Sequence, residues 1–257
     1  MKICLLYHGA IRGLKYEKVI NSHLLLIEKL KNLGNVDVFC QINNFEYSDV
    51  FLKLNPIVYE ISDNNKNHKP HKFRHVKFPQ YFTEQRGTNV MLDLYSQNRV
   101  FTIMCEYCNR SNVKYDLYVN LRYDLLLENI NNDDFNDFKN FKLDKYYTIN
   151  EWKYWGYTDM FGIGNYDITK IIMTRYELLM DKNFPRLVTQ EKLDMLNFGK
   201  LHKNNSVNMH PESSIKILLE LNKIYVEFIN MTVKIVRTDG NIKCNDESII
   251  NNINDYK

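Results

Sequence analysis

KICLLYHG, residues 2–9, is the stretch that decides the fold. Its unbroken apolar part, residues 2–7, predicts a strand that is buried on both faces, and His8 with the glycine after it ends that strand. Apolar residues then recur at helical spacing over residues 15–33, and Gly34 is a good stop signal for that helix. The chain therefore opens with a buried strand followed by a helix, which is how an α/β unit begins.

The rest of the chain continues this α/β pattern. Apolar or alternating runs predict strands at residues 36–42, 56–62, 115–127, 146–150 and 159–163. Helical spacing predicts helices at residues 88–109, 166–180, 190–201 and 211–221. The β-α-β-β order at the start predicts an α/β fold with a mixed, mostly parallel sheet flanked by helices.

Domain organisation is predicted to be simple. We expect one domain over residues 1–240, followed by a polar and frayed C-terminal tail over residues 241–257. Residues 63–88 have little periodicity and predict a long irregular loop, and the acidic stretch over residues 131–137 predicts a turn or short helix.

Composition restricts the class of protein. The chain has 257 residues, a formal net charge of +3 and five scattered cysteines. So small a positive charge argues against a nucleic-acid-binding protein, which usually has a clustered basic excess. An odd number of cysteines in a chain of this size is typical of a reducing compartment. The apolar run at the N-terminus is too short for a signal peptide, and no stretch reaches the ~18 apolar residues of a membrane span. We therefore expect a cytoplasmic protein without a transmembrane segment.

Arg122-Tyr123-Asp124, near the end of the predicted strand over residues 115–127, is the first candidate site. The side chains of Arg122 and Asp124 leave the same side of an extended backbone because they are two residues apart. A carboxylate at the carboxyl edge of a sheet can hold a divalent metal, and an arginine beside it can orient that carboxylate or contact a phosphate. The residues alone favour a structural ion pair at the end of a strand equally well.

The turn after the first strand contains the second candidate. Ligands of α/β sheets bind beyond the carboxyl ends of the strands, where His8 and Gly9 lie. Gly9 allows a ligand to approach the backbone, and the planar guanidinium group of Arg12 can pair with a phosphate. An ordinary strand-to-helix turn is the alternative, and on these residues alone it is the more common one.

The segment over residues 151–159, EWKYWGYTD, is the third candidate. It contains both tryptophans of the chain and two tyrosines, and such rings stack on flat ligands such as sugars. Asp159 and Glu151 are candidates for a base that takes a proton from a hydroxyl group. The alternative is a hydrophobic loop packed beneath the sheet, which suits the tryptophans better than it suits Asp159.

Two weaker candidates complete the set. His210 can serve as a metal or phosphate ligand. The alternative is an ordinary helix N-terminus, because Pro211 and Glu212 after it are typical of the start of a helix. Cys105 and Cys108 are accompanied by no second cysteine pair and no histidine pair at ligand spacing. We therefore expect ordinary thiols there rather than a zinc site.

Taken in order, these motifs resemble a family of viral and bacterial glycosyltransferase-like proteins that build surface polysaccharides. The matching pieces are Gly9-x-x-Arg12, Asp37-Val38-Phe39, the strand that ends in Arg122-x-Asp124, Asp159-Met160-Phe161-Gly162-Ile163-Gly164, and His210-Pro211-Glu212 followed later by Val236-Arg237. Each motif is short, and the ordered set over residues 1–237 carries the resemblance.

The resemblance implies a GT-A-like, Rossmann-like fold that transfers a sugar from a nucleotide-sugar donor to a glycan or glycolipid acceptor. The donor would lie across the N-terminal strands, on His8, Gly9, Arg12, Asp37, Arg122 and Asp124. The resemblance also implies a divalent metal, manganese or magnesium, held by Asp124 and His210. Asp124 would replace the last carboxylate of the usual Asp-x-Asp motif, a tripeptide that this chain does not contain.

Two other functions stay open at the level of sequence. One is a non-catalytic carbohydrate- or protein-binding module that uses the aromatic segment over residues 152–157. The other is a different nucleotide-dependent transferase, such as a nucleotidyltransferase.

Overall fold

A seven-stranded sheet is the main element of the computed structural model, which describes residues 1–43, 49–63, 84–130, 144–151, 156–180, 211–243 and 249–252. The strands are β1 Lys2–His8, β2 Asn35–Asn43, β3 Val58–Ser62, β4 Leu117–Arg122, β5 Leu125–Glu128, β6 Lys145–Ile149, β7 Phe161–Gly164, β8 Tyr225–Ile229, β9 Thr232–Val236, β10 Asn241–Lys243 and β11 Ile249–Asn252. The helices are α1 Glu17–Lys31, α2 Glu84–Ser111, α3 Tyr166–Met173, α4 Arg175–Met180 and α5 Pro211–Leu221. Short 3-10 turns lie at Ile11–Gly13 and Asp49–Leu54.

The main sheet is mixed and mostly parallel. Across the described residues its strand order is β3–β2–β1–β4–β7–β6–β8. β1 is parallel to β2 and β4, β2 is parallel to β3, and β6 is parallel to β8. Only β7 runs antiparallel to its neighbours β4 and β6 in this described sheet. The predicted α/β class with a mixed, mostly parallel sheet is therefore confirmed.

Helices cover both faces of β1, which explains its unbroken apolar sequence. Ile3, Leu5 and Tyr7 belong to a buried cluster that includes residues of α1. Cys4 and Leu6 point to the other face and belong to a cluster that includes residues of α2. A strand that is buried on both faces has no position that favours a polar residue, so it reads as a continuous hydrophobic run.

The predicted single strand over residues 115–127 is wrong, because the structure has two strands there in different sheets. β5 pairs antiparallel with β9, in a second sheet whose described order is β11–β10–β9–β5. The chain leaves the main sheet at Tyr123 and Asp124, where the Asp124 carbonyl accepts a hydrogen bond from the backbone N–H of Val236 (2.8 Å). This break places Asp124 at the junction of the two sheets.

The helices differ from prediction at their boundaries. α2 begins at Glu84, before the predicted start at residue 88. The predicted helix over residues 166–180 is divided into α3 and α4 at Thr174, where the backbone leaves the helical conformation (φ −93°, ψ 10°). No helix within the described ranges is both long and apolar enough to cross a bilayer.

The predicted fraying of the chain after Asp239 is wrong for the described part of that segment. β10 pairs with β9 and β11, and Ile242 is fully buried, so apolar burial holds the backbone in the second sheet. The division into one domain over residues 1–240 and a tail stays a prediction. The predicted helix over residues 190–201, the turn over 131–137 and most of the loop over 63–88 lie outside the described residues.

Candidate active site

The carboxyl ends of β1 and β4 bring the first candidate residues together. These strands are parallel, and His8 lies in register with Arg122. The chain turns at Gly9 with a φ of +87°, which residues with a side chain rarely adopt. A Cβ atom at Gly9 would also lie 2.9 Å from Asp93 Oδ1, so this glycine lets α2 approach the end of the sheet. This is the edge at which ligands of α/β folds bind.

Arg122 and Asp124 form an ion pair with two parallel hydrogen bonds. Arg122 Nε donates to Asp124 Oδ1 (3.0 Å), and Arg122 Nη2 donates to Asp124 Oδ2 (2.7 Å). The Asp124 side chain is fully buried, and that of Arg122 is 18% exposed. Burial acts to lower the pKa of Arg122, but the negative charges of Asp124, Asp93 and Asp159 outweigh it and raise that pKa. The structural ion pair left open by the sequence is therefore formed, and Arg122 keeps further N–H groups for a ligand.

Polar side chains from α2 and α4 support His8. Asp93 Oδ1 lies 3.5 Å from His8 Nδ1, Gln97 Nε2 donates to Asp93 Oδ2 (3.0 Å), and Arg175 Nη2 donates to Gln97 Oε1 (2.7 Å). Burial acts to raise the pKa of Asp93, but His8, Arg122 and Gln97 favour the charged form and bring the pKa to about 2. His8 is fully buried, and neither of its ring nitrogens forms a hydrogen bond with the described residues, although Asp93 lies near Nδ1. A buried polar atom in that position is suited to a ligand or a water molecule.

Asp159 belongs to the same cluster. The backbone N–H of Arg122 donates a hydrogen bond to the carbonyl oxygen of Met160, the residue after Asp159 (3.1 Å), and this bond holds the segment beside β4. The Asp159 side chain is buried, at 7% exposure. Burial and the charge of Asp93 raise its pKa, and the positive charges of Arg122 and Arg175 offset part of that rise. A carboxylate with a raised pKa, buried among cations, has the properties of a general base.

Arg12 reaches the site through the 3-10 turn. The next residue, Gly13, packs so closely that a Cβ atom on it would lie 2.8 Å from Asp124 Cα and 2.9 Å from the carbonyl oxygen of Val236. Arg237 follows Val236 directly. Burial lowers the pKa of Arg237, and the charges of Asp124 and Arg12 also act on it. The predicted residue Arg12 is thus brought to Asp124, together with an arginine that the sequence did not single out as a site residue.

Asp37 and Glu151 are not brought to this cluster. Asp37 pairs in register with Cys4, near the amino end of β1, and its Oδ2 accepts a hydrogen bond from the hydroxyl of Tyr115 (2.7 Å). Glu151 Oε2 accepts a hydrogen bond from the backbone N–H of Val233 in β9 (2.9 Å), and burial raises the pKa of Glu151. Both carboxylates therefore have structural partners elsewhere in the fold.

Several predicted features lie outside the described residues. They include His210 and residues 152–155, which contain both tryptophans. Cys105 and Cys108 are described, and neither takes part in a disulfide.

The described residues do not provide the ligand set that a divalent metal needs. Mg²⁺ and Mn²⁺ favour several oxygen ligands, commonly in octahedral geometry. Both oxygens of Asp124 are engaged by Arg122, and the described part of the chain contains no group of three or more His, Cys, Asp and Glu side chains at ligand distances. A metal at Asp124 would have to displace Arg122 from a buried carboxylate.

Asp93, Gln97 and Arg175 are site residues that sequence reasoning missed. Asp93 and Gln97 are four residues apart, so they lie on the same face of α2. A polar pair at that spacing within a half-buried helix is a signal that was available. Arg175 begins a separate short helix, and no local pattern distinguishes it from a surface arginine.

Two solved structures that are similar to this chain are glycosyltransferases. No protein-family model and no curated protein matches the chain. Mouse xyloside xylosyltransferase 1 in its apo form has 9% identity and a TM-score of 0.43, over 89% of this chain and 84% of that chain. A glycosyltransferase involved in the glycosylation of the major capsid of PBCV-1 has 14% identity and a TM-score of 0.32, over 67% of this chain and 65% of that chain. Both TM-scores lie below 0.5, so a functional conclusion has to rest on the residues of the site.

Proposed function

We propose that this chain is a glycosyltransferase that moves a sugar from a nucleotide-sugar donor to a glycan or lipid-linked acceptor. The observation that carries the proposal is Asp159, a buried carboxylate with a raised pKa that lies beside the ion pair at the end of β4. Transfer of a sugar to a hydroxyl group needs a base for the hydroxyl proton and positive charge for the leaving phosphates. The cluster offers both at one buried edge of the sheet.

Asp159 is the base in this proposal. It has to be ionised to accept a proton, and the positive charges of Arg122 and Arg175 favour its ionised form against the effect of burial. The acceptor hydroxyl gives its proton to a carboxylate oxygen of Asp159 while its oxygen forms a bond to the anomeric carbon of the sugar. The bond from that carbon to the phosphate oxygen of the donor breaks, and the nucleoside diphosphate leaves with the bonding electron pair.

His8 and Gly9 have supporting roles. Asp93 faces Nδ1 of His8, so Nε2 is the ring nitrogen that remains for a donor phosphate or a sugar hydroxyl. At Gly9 the absence of a side chain lets Asp93 of α2 lie close to His8 at the end of β1. Both residues are buried at the carboxyl end of β1, and such a rigid position suits the precise placement that a transfer reaction requires.

A nucleotide screen tests the class of ligand. A ligand present at 100 times its Kd stabilises the folded protein by about 2.7 kcal/mol, so UDP or GDP should raise the melting temperature if the chain binds a nucleotide-sugar. The nucleotide that stabilises the protein then selects the sugar donors for a transfer assay. Stabilisation by glycans but by no nucleotide would indicate a binding module, and pyrophosphate release from a nucleoside triphosphate would indicate nucleotidyl transfer.

Replacement of the base tests the mechanism. Asp159→Asn should lower kcat by about 10²- to 10⁴-fold, because a positioned base contributes that much, and should leave the Kd of the nucleotide almost unchanged. Asp167→Asn is the matched control, since Asp167 is an exposed carboxylate on the nearby helix α3. An Asp159→Asn variant that transfers sugar at the wild-type rate would show that Asp159 is not the base.

A further inference from the structure

Three separate segments of the chain, each with an arginine, meet at Asp124. Arg122 pairs with the Asp124 carboxylate directly. Gly13, which follows Arg12, packs against the Asp124 backbone. Val236, which precedes Arg237, donates its backbone N–H to the Asp124 carbonyl. Asp124 lies at the junction of the two sheets, so each of these segments is held by the fold.

Further contacts hold the segments that contain Arg12 and Arg237. The hydroxyl of Tyr16 donates a hydrogen bond to the carbonyl of Thr238 (2.8 Å), which joins the loop after β1 to the turn after β9. The backbone N–H of Arg237 donates to the carbonyl of Asn241 (2.9 Å) within that turn. Arg12 and Arg237 are both half-buried, and these contacts hold the backbone near each of them.

The three arginines lie close enough for their charges to act on one another. Arg122 and Arg12 both act on Arg237, whose nearby acids are the buried Asp124 and the exposed Asp239, while Asp93 and Asp159 act on Arg122 from the other side. Burial is the main cause that lowers the pKa of Arg237, and the like charges of Arg122 and Arg12 lower it further despite the attraction of Asp124. Like charges that are held together in a partly desolvated place repel one another, and a bound anion relieves that repulsion.

We propose that Arg12, Arg122 and Arg237 bind the diphosphate of a nucleotide ligand and neutralise it without a divalent metal. The identity of the ligand as a nucleoside diphosphate rests on the proposed function. A guanidinium group has five N–H donors, and Arg122 uses two of them on Asp124, so the others can reach phosphate oxygens. The planar fork of an arginine matches two oxygens of a phosphate, which is why arginine is common in phosphate sites.

Asp124 has a positioning role in this arrangement. Its two oxygens fix the guanidinium plane of Arg122, and its burial makes that contact rigid. The carboxylate that the sequence offered as a metal ligand therefore orients a cation of the protein. In a metal-dependent site the same carboxylate would instead bind a metal ion, and that ion would contact the phosphates.

Titration calorimetry with inorganic pyrophosphate, UDP and GDP tests the proposal. We expect at least one of these probes to bind in EDTA, with a Kd within about threefold of that in manganese. Arg237→Gln should raise that Kd by about tenfold or more, because hydrogen bonds to charged groups commonly contribute that much. Arg237→Lys should recover part of the loss, since it restores the charge but not the fork. Arg110→Gln removes an exposed arginine at the far end of α2 and should leave the Kd unchanged.

Either of two results would overturn the proposal. One is binding that needs manganese and is absent in EDTA. The other is a folded Arg237→Gln variant whose Kd equals that of the wild type. If Arg237→Gln does not fold, the EDTA comparison on the wild type and an Arg12→Gln variant decide the question in the same way.

The outcome for the arginine site is separable from that for the proposed function. Pyrophosphate binding in EDTA without turnover of any nucleotide-sugar would support the arginine site and count against glycosyl transfer. Sugar transfer that occurs only with manganese would support glycosyl transfer and refute the metal-independent site.

Discussion

Replacing Asp93 with asparagine should lower the free energy of unfolding by about 2 kcal/mol at neutral pH. The pKa of Asp93 falls from an ordinary 3.8 to about 2, and each pKa unit corresponds to about 1.36 kcal/mol. The side chain is only 21% exposed, so screening by solvent is limited. Because the pKa of this carboxyl is lower in the folded state, the stabilisation is complete above an unfolded-state pKa of about 4. It is lost as the pH falls towards 2, and roughly half of it remains near pH 3.

Urea unfolding of the wild type and of Asp93→Asn at pH 7, 5 and 3 measures this contribution. The free energy of unfolding of the wild type should exceed that of Asp93→Asn by about 2 kcal/mol at pH 7 and 5, and by roughly 1 kcal/mol at pH 3. Glu106→Gln on the exposed face of the same helix should leave the stability within about 0.5 kcal/mol of the wild type. Equal stabilities at pH 7, or a gap that stays constant down to pH 3, would refute the assignment of Asp93 as a charge held by His8, Gln97 and Arg122.

Two substitutions at the junction of the sheets give further predictions, and both are measured by urea unfolding. Asp124→Asn should lower the free energy of unfolding by about 3–5 kcal/mol, because it leaves Arg122 without its buried partner; a loss below about 1 kcal/mol would contradict this. Gly13→Ala should cost about 1–3 kcal/mol, because its Cβ would lie 2.8 Å from Asp124 Cα and 2.9 Å from the carbonyl oxygen of Val236. It should also weaken pyrophosphate binding, and an alanine variant with unchanged stability would mean that the turn is not packed as described.

The strand-and-helix order at the start of the chain was predictable, but the exchange of sheets at Asp124 was not. Burial of β1 on both faces produces an unbroken apolar run, and that run is visible in the sequence. The residues on either side of Asp124 are also apolar, because β4 and β5 are both buried. Hydrophobic periodicity reports burial, and it contains no information about which sheet a strand joins. The wrong prediction of a single strand over residues 115–127 follows, because an apolar pattern does not show where the chain passes from one sheet to the other.

The positions of the candidate residues were predictable where these residues are close in sequence. His8 and Gly9 follow a strand, and Arg122 and Asp124 are two residues apart, so local reasoning placed each pair at the carboxyl end of its strand. Asp93 lies on a helix far along the chain from His8, and only the packing of α2 against β1 brings them within 3.5 Å. Contacts of that kind depend on the assembled fold, so a single sequence does not reveal them.

Arg122 connects the binding and the chemical parts of the proposed site. Its positive charge lowers the pKa of Asp159 in part, and it also belongs to the arginine group around Asp124. A diphosphate bound beside Arg122 offsets that charge, because opposite charges in a buried place screen one another. In the proposed mechanism, the pKa of Asp159 would then rise further, so a donor bound beside Arg122 would make the carboxylate a stronger base for as long as it stays ionised.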